Sequence, residues 1–159
     1  NNAIHRYSAV KKAVAIAQGK DFVEKMDDQY DAHVAQGGSN FSGGQKQRAF
    51  IAMVIAQDTD FILLDEPLNN LDMKHSVQIM KILRKLVDEL GKTVVIVLHD
   101  INFASVYSDR IVALKDGKVV KDGPTNDIIN SDALRDIYDM NIPVQEQDGC
   151  RICIYFNSY

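Results

Sequence analysis

Two apolar rhythms divide the chain. In the first, Val10, Ala13, Val14 and Ala17 recur at three- and four-residue steps, and Phe22 and Met26 continue the pattern. That spacing predicts two short helices, or one bent one, over about 8–27, with Lys20-Asp21 between them. Residues 28–40 are polar, contain Gly37-Gly38 and predict a loop. Ser42 opens the next helix, with Gln45 three residues on in the capping-box pattern. Every residue of 49–56 is apolar, which predicts a helix buried all round with only its first turn accessible.

The second rhythm starts at Phe61. Residues 61–64 and 93–98 are short apolar runs and read as buried parallel strands. Between them Asp72 caps a helix with the stripe Met73, Val77, Met80, Leu83, Val87 and Leu90, and Gly91 ends it. Strand, helix, strand implies a right-handed parallel crossover. Residues 100–108 read as a short helix. Residues 110–115 and 118–121 flank Asp116-Gly117, a hairpin turn, and Pro124 stops the second strand. Residues 131–138 predict a small helix, and the tail a hairpin turning at Asp148-Gly149. The fold class expected is α/β, with no internal repeat and no low-complexity tract.

Composition narrows the classes. At 159 residues, roughly 70% of the unfolded surface can be buried, so one domain needs no staples. A 46% hydrophobic and 25% charged chain reads as soluble and globular. The net charge of −4 supplies no basic footprint, so no nucleic-acid partner is expected. The apolar runs fall short of the roughly 18 residues a membrane span needs. Asn1-Asn2-Ala3-Ile4-His5-Arg6 lacks an apolar signal region, and the missing initial Met is read as a processed or excised fragment. Cys150 and Cys153 form a C-x-x-C, but residues three apart on a strand over 151–156 face opposite ways. Reduced thiols in a cytosolic protein are expected.

Three stretches carry candidate chemistry. Gly43 and Gly44 follow Ser42 at a helix start, where unpaired N–H groups and the helix dipole favour an anion and no Cβ blocks approach. Lys46 and Arg48 add positive charge nearby. The bland reading is a capped helix. Asp65 and Glu66 end an apolar strand, the place where α/β sheets hold ligands, and adjacent strand residues point apart and can do different jobs. The bland reading is a pair of surface acids. His99 follows the second strand and reads either as a site residue or as a satisfied structural histidine. His5, His33 and His75 lack such context and read as surface residues.

In order, Phe41-Ser42-Gly43-Gly44-Gln45, 61–67 ending in Asp65-Glu66-Pro67, and 94–99 ending in His99 resemble the signature, Walker B and switch-histidine segments of ATP-binding cassette (ABC) ATPases. Residues 67–72 resemble the D-loop. The resemblance implies an α/β fold: a partial P-loop NTPase core with parallel strands plus an α-helical signature subdomain. It implies a helical subdomain at 1–57, the later core at 58–123 and a tail at 124–159. It implies nucleotide contacts from Ser42, Gly43, Gly44, Gln45 and Asp72, a Mg²⁺ site at Asp65, Glu66 as general base and His99 against the γ-phosphate. Asp72 serves equally as a helix cap.

ATP and Mg²⁺ are the family's cofactors, but no G-x-x-x-x-G-K-[ST] loop occurs in the sequence, so weak or no ATP binding is expected of the chain alone. Residues 1–48 are similar to multidrug-exporter-type ATPases, Phe41 in place of Leu included. Residues 49–159 are similar to iron–siderophore importer ATPases, Asp148-Gly149-Cys150-Arg151-Ile152-Cys153 included. A recombinant joined near Gln45–Arg48 is the expectation. The implied function is ATP hydrolysis coupled to transmembrane transport, cytoplasmic and membrane-associated through a permease. The implied partners are a second cassette or self, and the permease. The alternative is a non-catalytic module that self-associates or completes another cassette's site in trans. An ABC ATPase of the DNA-repair or translation type is disfavoured, because no coiled-coil or tandem insertion occurs. Unpaired strand edges predict a dimer or higher oligomer.

Overall fold

The structure is a computed structural model that describes residues 2–156, with side chains from Arg6 onward. The surface reading of His5 therefore lies outside the described residues. The chain forms two compact units, Asn1–Val97 and Leu98–Tyr159.

The first unit begins with α1 (Asn2–Ile16) and α2 (Lys20–Val23). The helix expected over 8–27 starts earlier and breaks at Gln18-Gly19. Gln18 takes a left-handed φ of 54°, and the Gly19 N–H turns back to the Val14 carbonyl at 2.8 Å. Two 3-10 turns, Gln29–Asp31 and Gln36–Gly38, lie within the expected loop. Next come α3 (Gly43–Ala56), β1 (Phe61–Leu64), α4 (Met73–Asp88) and β2 (Thr93–Ile96). β1 and β2 pair in parallel, Phe61 opposite Thr93 and Leu64 opposite Ile96, with α4 as the crossover. β2 is shorter than expected, although the Val97 N–H still bonds the Leu64 carbonyl at 2.9 Å.

The core of this unit gathers Ala13 from α1 and Ala17 just beyond it, Ile51 and Ala52 from α3, Ile62 and Leu64 from β1, and Ile79, Ile82, Leu83 and Leu86 from α4. Residues 79, 82, 83 and 86 follow the helical repeat, and they replace the flanks of the predicted stripe. Met73 and Leu90 are exposed, and Gly91, at φ +63°, ends the helix.

Three burial expectations fail, all in the same direction. α3 is not buried all round: Phe50 and Met53 are 50% and 63% exposed. β1 is not buried on both faces: Phe61 and Leu63 are 68% and 78% exposed, while Ile62 and Leu64 are 4% exposed. Val95 and Val97 are exposed in the second run as well. The reason is geometric. Alternate strand residues face opposite ways, and one of the two faces meets no covering layer among the described residues.

The second unit contains α5 (Ile101–Tyr107), the hairpin β3 (Arg110–Lys115) and β4 (Lys118–Pro124), α6 (Thr125–Ile128), α7 (Ser131–Tyr138) and the hairpin β5 (Val144–Gln147) and β6 (Cys150–Cys153). Both hairpins are antiparallel. Asp116-Gly117 and Asp148-Gly149 all take positive φ, the geometry of two-residue hairpin turns whose twist matches the strands. The last strand is shorter than 151–156 and begins one residue earlier. Ile101, Ile128, Ile129, Leu134, Ile137, Ile142 and Cys153 form the core. Asn102 ties α5 to β6, donating to the Cys153 carbonyl at 3.2 Å and accepting from its N–H at 2.7 Å. Both cysteines are free thiols, Cys153 buried and Cys150 half-buried.

Candidate functional site

Ser42 closes the N-terminus of α3 as its sequence predicts. The Ser42 Oγ accepts from the Gln45 N–H at 3.3 Å, and the Ser42 N–H donates to Gln45 Oε1 at 2.8 Å. This reciprocal pair fixes the first turn. The Gly43 and Gly44 N–H groups find no acceptor among the described residues. They remain the unpaired donors at the positive end of the helix dipole. A Cβ at Gly43 would sit 3.9 Å from both the Asn70 carbonyl oxygen and Leu71 Cδ2. The glycine turn and the 69–72 stretch are therefore neighbours.

That stretch is itself well tied. Asp72 caps α4, its Oδ1 accepting from the His75 N–H at 2.9 Å and lying 2.8 Å from His75 Nδ1. Those bonds, the backbone one first, lower the Asp72 pKa from its ordinary 3.8. Asn70 takes a φ of 61° and the Leu71 N–H bonds the Leu68 carbonyl at 3.2 Å. Ser42, Gly43, Gly44, Gln45 and Asp72 thus lie on one locality, the facing starts of α3 and α4.

Asp65 and Glu66 follow β1 directly. The Asp65 carboxylate is exposed and Glu66 is half-buried. Glu66 takes a left-handed φ of 47°, a costly conformation for a residue with a side chain. Its carboxylate accepts from the Asn69 side-chain amide, and the Asn69 N–H bonds the Glu66 carbonyl at 3.1 Å. The strained turn is therefore held at both ends by Asn69. Among the described residues no three His, Cys, Asp or Glu gather into a metal-holding group. A Mg²⁺ held by one carboxylate, water and phosphate does not need such a group. The exposed Asp65 fits that donor set.

His99 belongs to the second unit. It is exposed and immediately precedes Asp100, which caps α5 through the Asn102 and Phe103 N–H groups at 2.8 and 3.1 Å.

Two expectations are corrected. Arg48 does not charge the glycine turn. Its guanidinium lies 5.6 Å from the centre of the Phe22 ring and reaches Gln78 Oε1 at 3.5 Å. It lies one turn further along α3 than Gly44 and is engaged by Phe22 and by Gln78 of α4. His75 is not a surface residue. It is half-buried against Gly44 and anchored to Asp72. Only the Asp72-to-His75 spacing, cap to third helical residue, signalled this pairing in sequence. Asn69 was also missed, because nothing in the sequence announces its bond to Glu66. His33 is exposed, as expected.

Residues 5–69 match the ABC transporter family profile. The petrobactin import ATP-binding protein YclP of Bacillus subtilis (strain 168) is 65% identical over 133 residues, covering 84% of this chain and 51% of that protein. The petrobactin import ATP-binding protein FatE of Bacillus anthracis is 47% identical over 114 residues, 72% of this chain and 46% of that protein. A dimeric structure of the ATP-binding cassette MJ0796, in a post-hydrolysis state bound to ADP and Pi, aligns with a TM-score of 0.57 at 36% identity. It covers 74% of this chain and 46% of that one. The chain spans about half the length of the curated relatives it matches.

Proposed function

The chain belongs to the ABC transporter ATP-binding family, and from that premise we propose that it is the signature- and acid-bearing part of a cassette ATPase powering uptake of an iron chelate. One observation carries the reading. The unpaired amides of Gly43 and Gly44 abut the 69–72 turn, whose Asn69 holds the Glu66 carboxylate. The names of the YclP and FatE relatives support petrobactin-like ferric siderophores as the cargo class.

Each residue then has a task. Gly43 and Gly44 donate to nucleotide phosphate, and Ser42 and Gln45 keep the turn open for it. Asp65 would hold Mg²⁺ through water, and the bound ion would supply positive charge beside the phosphates. Glu66 takes a proton from the attacking water while its other oxygen is held by Asn69. That water adds to the γ-phosphorus as the bond to ADP breaks. His99 orients the γ-phosphate, and Asp72 lines the approach. The helical part at 1–57, the core part at 58–123 and the tail at 124–159 are the functional divisions we infer.

These 159 residues contain no G-x-x-x-x-G-K-[ST] loop. The reading includes a second cassette, or a second copy of this chain, as partner, with a permease beside it. No helix among the described residues is long and apolar enough to cross a membrane. A second reading, a module that associates without catalysis, is favoured by the open apolar face of β1 and β2.

The recombinant origin is also a proposal. The alignment to YclP is longer than 49–159 and so runs into the first 48 residues, which weighs against a sharp boundary there. Separate parent genes for each half would support a join, and one parent matching both halves equally well would end it. Calorimetry tests the nucleotide reading: weak or absent MgATP binding by the chain alone, and binding restored by a polypeptide carrying G-x-x-x-x-G-K-[ST]. Micromolar binding by the chain alone would contradict it.

A further inference from the structure

Gly44 lies in ordinary right-handed helix, so its backbone angles do not demand glycine. Space does. A Cβ built there would lie 2.5 Å from His75 Cδ2 and 2.8 Å from His75 Nε2. Contacts that short force something to move. A free histidine could swing aside, but this ring is anchored: Nδ1 lies 2.8 Å from the Asp72 carboxylate, which also caps α4. Moving the ring would break the side-chain bond to the residue that starts the helix. At Gly43 the same exercise meets only ordinary contacts at 3.9 Å. The two glycines are thus glycines for different reasons.

We propose that His75 is the positioning residue of the glycine turn: its Asp72-anchored ring occupies the space of a side chain at 44 and seats the start of α3 against the start of α4. The inference rests on the nucleotide reading for what the Gly43 and Gly44 amides face, but the seating is a property of the fold. It makes the 69–72 turn and the phosphate-facing amides one mechanical piece. A disturbance at Asp72 then reaches Gly44 through one ring.

The test compares Gly43→Ala, Gly44→Ala, His75→Ala and the Gly44→Ala/His75→Ala pair by thermal melting and by hydrogen exchange of the amides of residues 43–45. Gly44→Ala should lower the melting temperature by roughly 5 °C, as overpacking does in a chain of this size. Gly43→Ala should lower it much less. Adding His75→Ala to Gly44→Ala should recover most of the loss. Equal effects at the two glycines, or a double variant no more stable than Gly44→Ala, would overturn the proposal. If Gly44→Ala does not fold, His75→Ala and His75→Gln carry the test. Exchange at 43–45 should quicken in His75→Ala and slow again in His75→Gln, whose amide can still reach Asp72. Unchanged exchange in His75→Ala would overturn the proposal.

A final arm separates this inference from the reading beneath it. MgATP is titrated, with a P-loop-bearing cassette half present, while the Gly43 and Gly44 amide resonances are followed. Rescue as expected with resonances that ignore nucleotide sinks the nucleotide reading and supports the seating. Resonances that move identically in wild type and His75→Ala support the nucleotide reading and sink the positioning role.

Discussion

The two units treat their apolar residues differently. In the second, each hairpin is closed by a two-residue turn, and Ile129, Leu134 and Cys153 are buried almost completely, while Val112, Leu114 and Val119 of the β3–β4 hairpin lie exposed. In the first, a two-stranded parallel sheet buries Ile62 and Leu64 yet leaves Phe61, Leu63, Val95 and Val97 in the open. An antiparallel hairpin needs only a short turn to pair and tolerates one open face, so the exposed apolar residues of β3 and β4 imply no further layer. A parallel pair reads as a continuous apolar run because its fold expects layers on both sides. The difference teaches that unsatisfied apolar positions on a parallel pair mark where a further layer belongs, and in the proposed reading that layer brings the P-loop.

The comparison can be broken first in the cores. Leu134→Ala in the second unit and Ile82→Ala in the first remove fully buried side chains, and each should cost about 2–5 kcal/mol by chemical denaturation. A loss below about 0.5 kcal/mol at either site, the level of ordinary surface changes, would mean that core is not packed as described.

The open face gives the sharper contrast. Ile62→Thr should destabilise strongly, whereas Leu63→Thr, one residue on, should leave stability within about 0.5 kcal/mol. Leu63→Thr and Phe61→Thr together should instead reduce self-association measured by light scattering. A clean monomer in the unaltered chain would contradict the association reading, and the face would then be simply solvent-exposed.

A smaller effect concerns pH. Asp72 is held low by its bonds to His75, Asp88 by Arg84 and Asp136 by Lys121. A carboxylate lowered in the folded state binds fewer protons there than in the unfolded chain. Its stabilisation is complete above the ordinary value of 3.8 and fades as pH falls through the lowered one. Melting temperature should therefore decline from about pH 4 downward, and Asp72→Asn should flatten part of that decline. The smallest effect separates the thiols. Burial, then the Asp100 charge, raises the Cys153 pKa above 9.0. An alkylating reagent at pH 8 should therefore modify the half-buried Cys150 well before Cys153. Equal rates would show that β6 opens freely.

Much of this was legible because short-range chemistry wrote it. Ser42 with Gln45, Asp72 before Met73, Gly91, and both Asp-Gly turns announce themselves through rules that span four residues, and all appear where expected. Burial was less legible. An apolar run states a preference for cover, but whether cover exists depends on elements far away or absent, and Phe50, Met53, Phe61 and Leu63 show the gap. In the candidate site, the residues at helix starts and strand ends were readable from their positions. The two that brace them, Asn69 and His75, were not, because their roles arise from a turn's path and from the approach of two helices.

The central claim is that the glycine turn and the acid pair are working parts of a two-cassette ATP hydrolase, acting with a P-loop that these 159 residues do not contain. The most direct measurement is phosphate release from MgATP by the chain alone, by a P-loop-bearing cassette half alone, and by the two together, each with Glu66→Gln as control. The account predicts release only from the mixture, and its loss with Glu66→Gln. Release from the mixture that is indifferent to Glu66→Gln, or none under any condition, would contradict it.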